Sequence, residues 1–259
     1  MGVFTPRAFT PKASRALGLV LPTTMAGCST ICVNSRELEL GCSSTAMSPL
    51  FSDEWLGTEV WPAAASLVAL LQMEPWHRRI QGAAVIELGA GTGAVGLAAA
   101  SMGAQSVLLT DKPSLVGVLR ANVDRNGLAE TCTCESLLWT TSGDPVLQNH
   151  PRGPHLMVLM SDCLNPVYGD EHAEALAATL HALLAAAASD SAAASGAGDH
   201  NGPLGLLAQV QRGEGTAESI FFASCGRLGL DSRLLKEEVG EHTCRIYSIR
   251  LSHAGSQNA

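Results

Sequence analysis

Aromatic residues are scarce in this chain of 259 residues: 5 Phe, 4 Trp and 2 Tyr, 4% in all. Charge is scarce too, at 15% against about 25% in an ordinary soluble domain. Hydrophobic residues nevertheless reach 46%, so the chain can build a sizeable core in one large domain or two small ones. That balance excludes a disordered chain, a fibrous repeat and a disulfide miniprotein. Acid is absent before Glu37, where Arg7, Lys12, Arg15 and Arg36 are the only charges. The other 12 of the 16 basic residues face 24 acidic ones, and the net charge is −8. A body this acidic lacks the clustered Lys and Arg that neutralise phosphates, so nucleic acid is not an expected partner. The longest uncharged stretch, Leu88 to Thr110, has the length of a membrane span. Gly89, Gly91, Gly93, Gly96 and Gly103 interrupt it, and no membrane association is expected.

None of the eight cysteines forms a C-x-x-C pair, and no His pair follows at zinc-finger spacing. With no secretory signal, the expectation is buried reduced thiols and no metal. A structural disulfide or a metal site is the alternative.

Residues 1–27 are basic, free of acid and rich in Ser, Thr and Pro, which suits either a disordered leader or an organelle transit peptide. The first implies a cytoplasmic protein, the second a chloroplast or mitochondrial one. Thr30–Val33 and Leu38–Leu40 read as an N-terminal β-hairpin. A helix is expected over 62–73, started by Pro62 and stopped before Pro75. From Ala83 the pattern becomes βαβ, with strands at 83–88 and 106–110 and helices at 94–102 and 113–125. Further strands are expected at 131–137, 155–160, 219–224 and 243–251, and further helices at 171–187 and 231–239. The expected fold is α/β: a Rossmann-like, doubly wound, seven-stranded, mostly parallel sheet with the hairpin as an extension. Any ligand should lie beyond the carboxyl ends of the strands. The domain should occupy 28–251, interrupted by a low-complexity insertion at 188–217 and followed by a disordered tail at 252–259.

The densest signal is Glu87-Leu88-Gly89-Ala90-Gly91-Thr92-Gly93-Ala94-Val95-Gly96 at a strand-to-helix turn. Glycines there permit positive φ and let a ligand touch the backbone, while the helix start offers free N–H groups. Two registers compete. Gly91-x-Gly93-x-x-Gly96, with Asp111 twenty residues on, is the dinucleotide pattern of an NAD-dependent oxidoreductase. Glu87-x-Gly89-x-Gly91-x-Gly93 places a carboxyl beside the loop, where a diphosphate is repelled and a cationic amino acid tolerated.

Four segments in order resemble the class I, seven-strand methyltransferases, and among them the small protein-lysine methyltransferases related to those acting on valosin-containing protein and Hsp70. They are Leu56-Gly57-Thr58-Glu59-Val60-Trp61, the glycine loop, Leu109-Thr110-Asp111-Lys112-Pro113 with Asn122-Val123-Asp124-Arg125-Asn126, and Met160-Ser161-Asp162-Cys163. Leu138-Trp139 and Arg245-Ile246-Tyr247 are similar to two further family segments. The resemblance implies S-adenosylmethionine as cofactor and a protein lysine as acceptor, on what is expected to be a monomer. It further implies that Asp111 binds the ribose hydroxyls and that Gly89, Ala90, Gly91 and Gly93 pass under the cofactor beside Glu87. Trp61, Trp139 and Ser161 would contact it.

Asp162 is expected to position the incoming ammonium and help it shed a proton, with Tyr168 as a wall of the acceptor channel. Asn165-Pro166-Val167-Tyr168 is also similar to the N-P-P-Y of enzymes that methylate planar amides, but Asp162 holds the place directly after the strand. His172 and His181 are expected on a helix surface, and Glu237, Glu238 and Glu241 on a solvated helix face. Other readings are a methyltransferase for a small molecule or another amine, the oxidoreductase, and a non-catalytic interaction module.

Overall fold

Two strand-to-helix turns, each following a short apolar run, start the βαβ pattern on which the rest is built. The computed structural model describes residues 28–41, 59–142, 155–192, 202–212 and 215–252. The leader at 1–27, Leu56-Gly57-Thr58 and the tail beyond Ser252 lie outside the described residues. The hairpin is β1 (Cys28–Val33) and β2 (Arg36–Gly41), paired antiparallel. There follow α1 (Pro62–Leu71), α2 (Trp76–Ile80), β3 (Ala84–Leu88), α3 (Ala94–Ser101), β4 (Ser106–Asp111), α4 (Val116–Arg125) and β5 (Cys132–Ser136). The second half comprises β6 (Leu156–Ser161), α5 (Asp170–Ala192), β7 (Leu204–Val210), α6 (Thr216–Arg227), β8 (Leu230–Glu238) and β9 (Cys244–Leu251).

The main sheet has seven strands in the order β5-β4-β3-β6-β7-β9-β8, and β9 runs against its two neighbours. It is the expected mostly parallel, doubly wound sheet with an N-terminal hairpin. The chain leaves β3 for β4 and β5 on one side, then returns to β6 and β7 on the other. The switch point between β3 and β6 is where such sheets leave a crevice. Helices α1, α3 and α4 pack on one face with the hairpin, and α5 and α6 on the other. Among the described residues, no helix is long and apolar enough to cross a membrane.

The hairpin is strapped to α4 by two amides. Asn122 and Asn126 are four residues apart and so share a helix face. Asn122 accepts from Gly41 N–H at 2.8 Å and donates to the Gly41 carbonyl at 3.2 Å; Asn126 accepts from Glu39 N–H at 2.9 Å and donates to its carbonyl at 2.8 Å. Each amide thus mimics a neighbouring strand. Asn122 also donates to the Thr92 carbonyl at 2.9 Å, which ties the strap to the glycine loop.

Three expectations need correction. The region 188–217 is not one insertion: its first residues extend α5 to Ala192, and Leu204–Val210 is β7, buried along its whole length between β6 and β9. An unbroken apolar run is what a strand covered on both faces requires. The expected strand at 219–224 lies within helix α6. Buried Ala217, Phe221, Ser224 and Cys225 follow helical spacing, and Gly215 caps the start in the left-handed region. The expected helix at 231–239 is instead the edge strand β8, so Glu237 and Glu238 stand on a sheet edge. Pairing with β9 overrides the helix propensity of its Leu, Lys and Glu. A bulge between Leu234 and Lys236 turns Leu235 toward the core.

Helix α3 crosses β3 and β4 closely because Gly96 has no side chain. A Cβ there would lie 2.3 Å from Leu109 Cδ2 and 2.7 Å from Glu87 Oε2. Gly96→Ala is expected to cost about 2 kcal/mol through overpacking, read as a lower denaturant midpoint at unchanged slope.

Candidate active site

The carboxyl ends of β3, β4 and β6 surround a cavity of about 470 Å³, in the size range of small-molecule sites. Gly89, Ala90, Gly91 and Thr92 form its floor after β3; Asp111 and Lys112 follow β4; Ser161, Asp162 and Cys163 follow β6. Trp61 enters from the start of α1, Leu137 to Trp139 from the end of β5, and Tyr168 and His172 from the approach to α5. Of the residues assigned from sequence to the cofactor and acceptor sites, all line the cavity except Gly93. Gly93 sits behind the loop as the cap of α3, with φ of 81°.

Glu87 has its carboxyl 1% exposed at the end of β3, where Oε2 accepts the Gly96 N–H at 2.7 Å. It also hydrogen-bonds the Val95 backbone. These N–H groups belong to the first turn of α3, the groups a diphosphate would need. A side chain of this protein already holds them. Burial pushes the Glu87 carboxyl from 4.5 up to about 8, against the lowering effect of those hydrogen bonds. At neutral pH Glu87 is therefore mostly protonated.

Asp111 clasps the loop from the other side. Oδ2 accepts the Gly91 N–H and Oδ1 the Lys112 N–H, each at 2.7 Å. Burial raises its pKa against those hydrogen bonds. Each oxygen keeps a lone pair for a further donor. Gly89 takes φ of 64°, and a Cβ there would come within 3.1 Å of Trp139 and of Cys163 Sγ. The Trp139 ring thus lies directly against the loop backbone.

Asp162 is held differently from what the sequence reading expects. Arg212 grips it bidentately, Nη1 to Oδ1 at 2.6 Å and Nη2 to Oδ2 at 2.5 Å, while Gln209 Nε2 donates to Oδ1 at 3.0 Å. The carboxylate is 3% exposed, and its backbone φ of 57° is unusual for a residue other than glycine. An arginine fork at this distance ties both carboxylate oxygens to a fixed cation, a partner that the sequence reading does not include. Arg212 in turn lies over the Trp61 ring, 5.5 Å from its centroid.

Arg212, Gln209 and His172 were missed in the sequence. The first two follow from reading β7 as insertion, although the buried run Leu204–Val210 signals a strand whose carboxyl end must reach the site. His172 is not a surface residue: it lines the cavity between Trp139 and Tyr168. Asn165 accepts from Val167 N–H at 3.1 Å and caps the turn that carries Tyr168. The six described free cysteines include five that are buried, and burial raises the thiol pKa of Cys132, Cys134, Cys163, Cys225 and Cys244.

This sheet order and crevice define the class I methyltransferase fold. Mitomycin 7-O-methyltransferase MmcR shares it with a TM-score of 0.50 and 17% identity, over 73% of this chain and 54% of that one, a likeness of fold alone. The sequence profile of the lysine methyltransferase family matches residues 52–194, more than half of the chain, which therefore belongs to that family. Similar relatives include protein-lysine N-methyltransferase rrg1 of Schizosaccharomyces pombe, 32% identical over 151 residues, 54% of this chain and 48% of the relative. Protein N-lysine methyltransferase METTL21A of Danio rerio is 35% identical over 139 residues, 51% of this chain and 59% of the relative. The chain spans about half the length of the curated relatives it matches. Membership in this family, together with the occupied α3 start, removes the oxidoreductase register. S-adenosylmethionine, the cofactor of this class, fits the residues present: it carries no diphosphate for that helix start, Asp111 keeps acceptor directions that hydroxyl donors would fit, and a cationic centre suits aromatic walls.

Glu87 makes stability depend on pH. Its folded pKa lies above the unfolded value, so its contribution is fully present below about 4.5 and is lost as pH rises through about 8. Wild-type protein is expected to lose melting temperature across that window, and Glu87→Gln to lose markedly less of it. An identical slope in both, measured by thermal unfolding from pH 5 to 8.5, would contradict this.

Proposed function

We propose that this protein transfers the methyl group of S-adenosylmethionine to a lysine side chain of a protein. The observation that carries the reading is the pair of acids around the glycine loop. Glu87 fills the α3 start, and Asp111 clasps Gly91 while keeping free acceptor directions. Family membership and the printed activities of rrg1 and METTL21A support lysine as acceptor.

When bound, S-adenosylmethionine would supply its methyl carbon to the lone pair of a lysine amine that has released its proton to solvent, the C–N bond forming as the methyl–sulfur bond breaks and S-adenosylhomocysteine leaving as a neutral thioether. Asp111 accepts hydrogen bonds from the two ribose hydroxyls. Gly89, Ala90 and Gly91 let the ligand lie against the backbone, and Gly93 and Glu87 hold the turn that makes this approach possible. Trp139 provides a flat apolar face beside Gly89, and Trp61 and Ser161 complete the wall. Tyr168 borders the acceptor channel, where its ring face favours an ammonium or methylated amine. Asp162 acts as a positioning residue: it fixes Arg212 against Trp61 and keeps one acceptor direction on Oδ2 for the incoming ammonium. The protein's contribution is placement, exclusion of water and electrostatics rather than covalent chemistry. Residence in the cytoplasm belongs to the same reading, and the free buried cysteines suit a reducing compartment.

The test is incubation with S-adenosylmethionine labelled in its methyl group and a lysate from methylation-depleted cells, followed by hydrolysis of the labelled protein. Label is expected in methyl-lysine, and Asp111→Ala should lower its incorporation at least tenfold at subsaturating cofactor. Label confined to small molecules, or to other side chains, overturns the proposal.

A further inference from the structure

His172 stands where the cofactor and acceptor walls meet. Its ring centroid is 4.7 Å from that of Trp139, at an interplanar angle of 47°, and 4.7 Å from that of Tyr168, at 35°. It lines the same cavity as Gly89, Asp111 and Ser161. It also lies in the first turn of α5, where the helix dipole disfavours a cation. Burial lowers its pKa, and the Cys163 carbonyl, hydrogen-bonded to the ring, opposes that shift. Burial thus favours the neutral imidazole, and the ring sits between those of Trp139 and Tyr168.

We propose that His172 determines the cavity's preference for the charged methyl donor over the uncharged product: a neutral ring at this place lets a sulfonium share the cavity, and a protonated one repels it. The inference rests on reading the cavity as the S-adenosylmethionine site. The donor and S-adenosylhomocysteine differ by one methyl group and one positive charge, so a nearby imidazolium discriminates between them by charge. Two like unit charges sharing one solvated cavity would repel by about 1 kcal/mol, about five- to tenfold in affinity.

Other groups face the same space. On its own helix, Asp170 and Glu171 precede it and point to solvent. From the β6 end come the Cys163 thiol and Asp162, the latter already paired with Arg212. From the β4 end comes Asp111, whose pKa burial raises; it is common to wild type and variant, and comparison of the two cancels it. Glu87 titrates near 8, outside the acid range in question. Glu59 and Lys112 on the cavity wall are common to wild type and variant, and comparison of the two cancels them.

The experiment is calorimetry of the full chain with S-adenosylmethionine and with S-adenosylhomocysteine from pH 5 to 7.5. In wild type the ratio of donor Kd to product Kd is expected to rise about five- to tenfold toward pH 5. In His172→Gln the ratio should rise markedly less. A flat ratio in wild type, or an equal rise in the variant, overturns the proposal. Should the variant fail to fold, NMR titration of the His172 ring in wild type decides: reciprocity requires a lower pKa in the donor complex than in the product complex, and equal values overturn the proposal. If wild type binds neither ligand at any pH, the cofactor reading itself has failed.

Discussion

The hydrogen bond from Gly96 N–H to the buried carboxyl of Glu87 fixes the place of everything around it. It joins the end of β3 to the first turn of α3, and it exists only because position 96 has no side chain to block the carboxyl. With the helix start satisfied from within, the intervening loop is free to present backbone rather than an anion-binding nest. Asp111 then pulls the crown of that loop toward β4 through Gly91. Two acids from adjacent parallel strands thus grip one glycine turn from opposite sides, and burial keeps one of them mostly neutral at neutral pH.

Around this frame the chain spends its few aromatic residues. Trp61, Trp139 and Tyr168 are three of only six Trp and Tyr in 259 residues, and all three line the cavity. Charge is placed as sparingly. Asp162 and Arg212 neutralise each other at the β6 and β7 ends, so the wall they form attracts neither strong anions nor strong cations. In the proposed reading, recognition of a cationic ligand is left to ring faces, to the residual acceptor directions of Asp111 and Asp162, and to His172.

The parallel half of the fold was legible because its signals are local. A strand, a glycine turn and a helix follow one another within a few residues, and Asp111 falls at a strand end by spacing alone. The far half was not, because its elements owe their form to distant partners. Leu204–Val210 sits among Ala, Gly and Ser and looks like part of an insertion until β6 and β9 flank it. Leu230–Glu238 has helix-forming residues, and only β9 makes it a strand. Thr216–Arg227 contains Ile220, Phe221 and Phe222, which suggest a strand until the burial of Ala217, Phe221 and Cys225 shows the helical period. The site inherited these errors. Asp111, Trp139 and Asp162 were found from motifs, whereas Arg212, the partner that holds Asp162, lay in the misread stretch. His172 reaches the cavity through the turn carrying Tyr168, which no helical spacing reveals.

The account turns on a helix start that is closed to diphosphates and a cavity that is open to a nucleoside bearing an amino acid. Calorimetry of the intact protein with S-adenosylhomocysteine and with NADH addresses this directly. Micromolar binding of S-adenosylhomocysteine with no detectable heat from NADH is the predicted result. Binding of NADH at comparable affinity would show that the α3 start accepts a diphosphate after all, and would contradict the role given to Glu87.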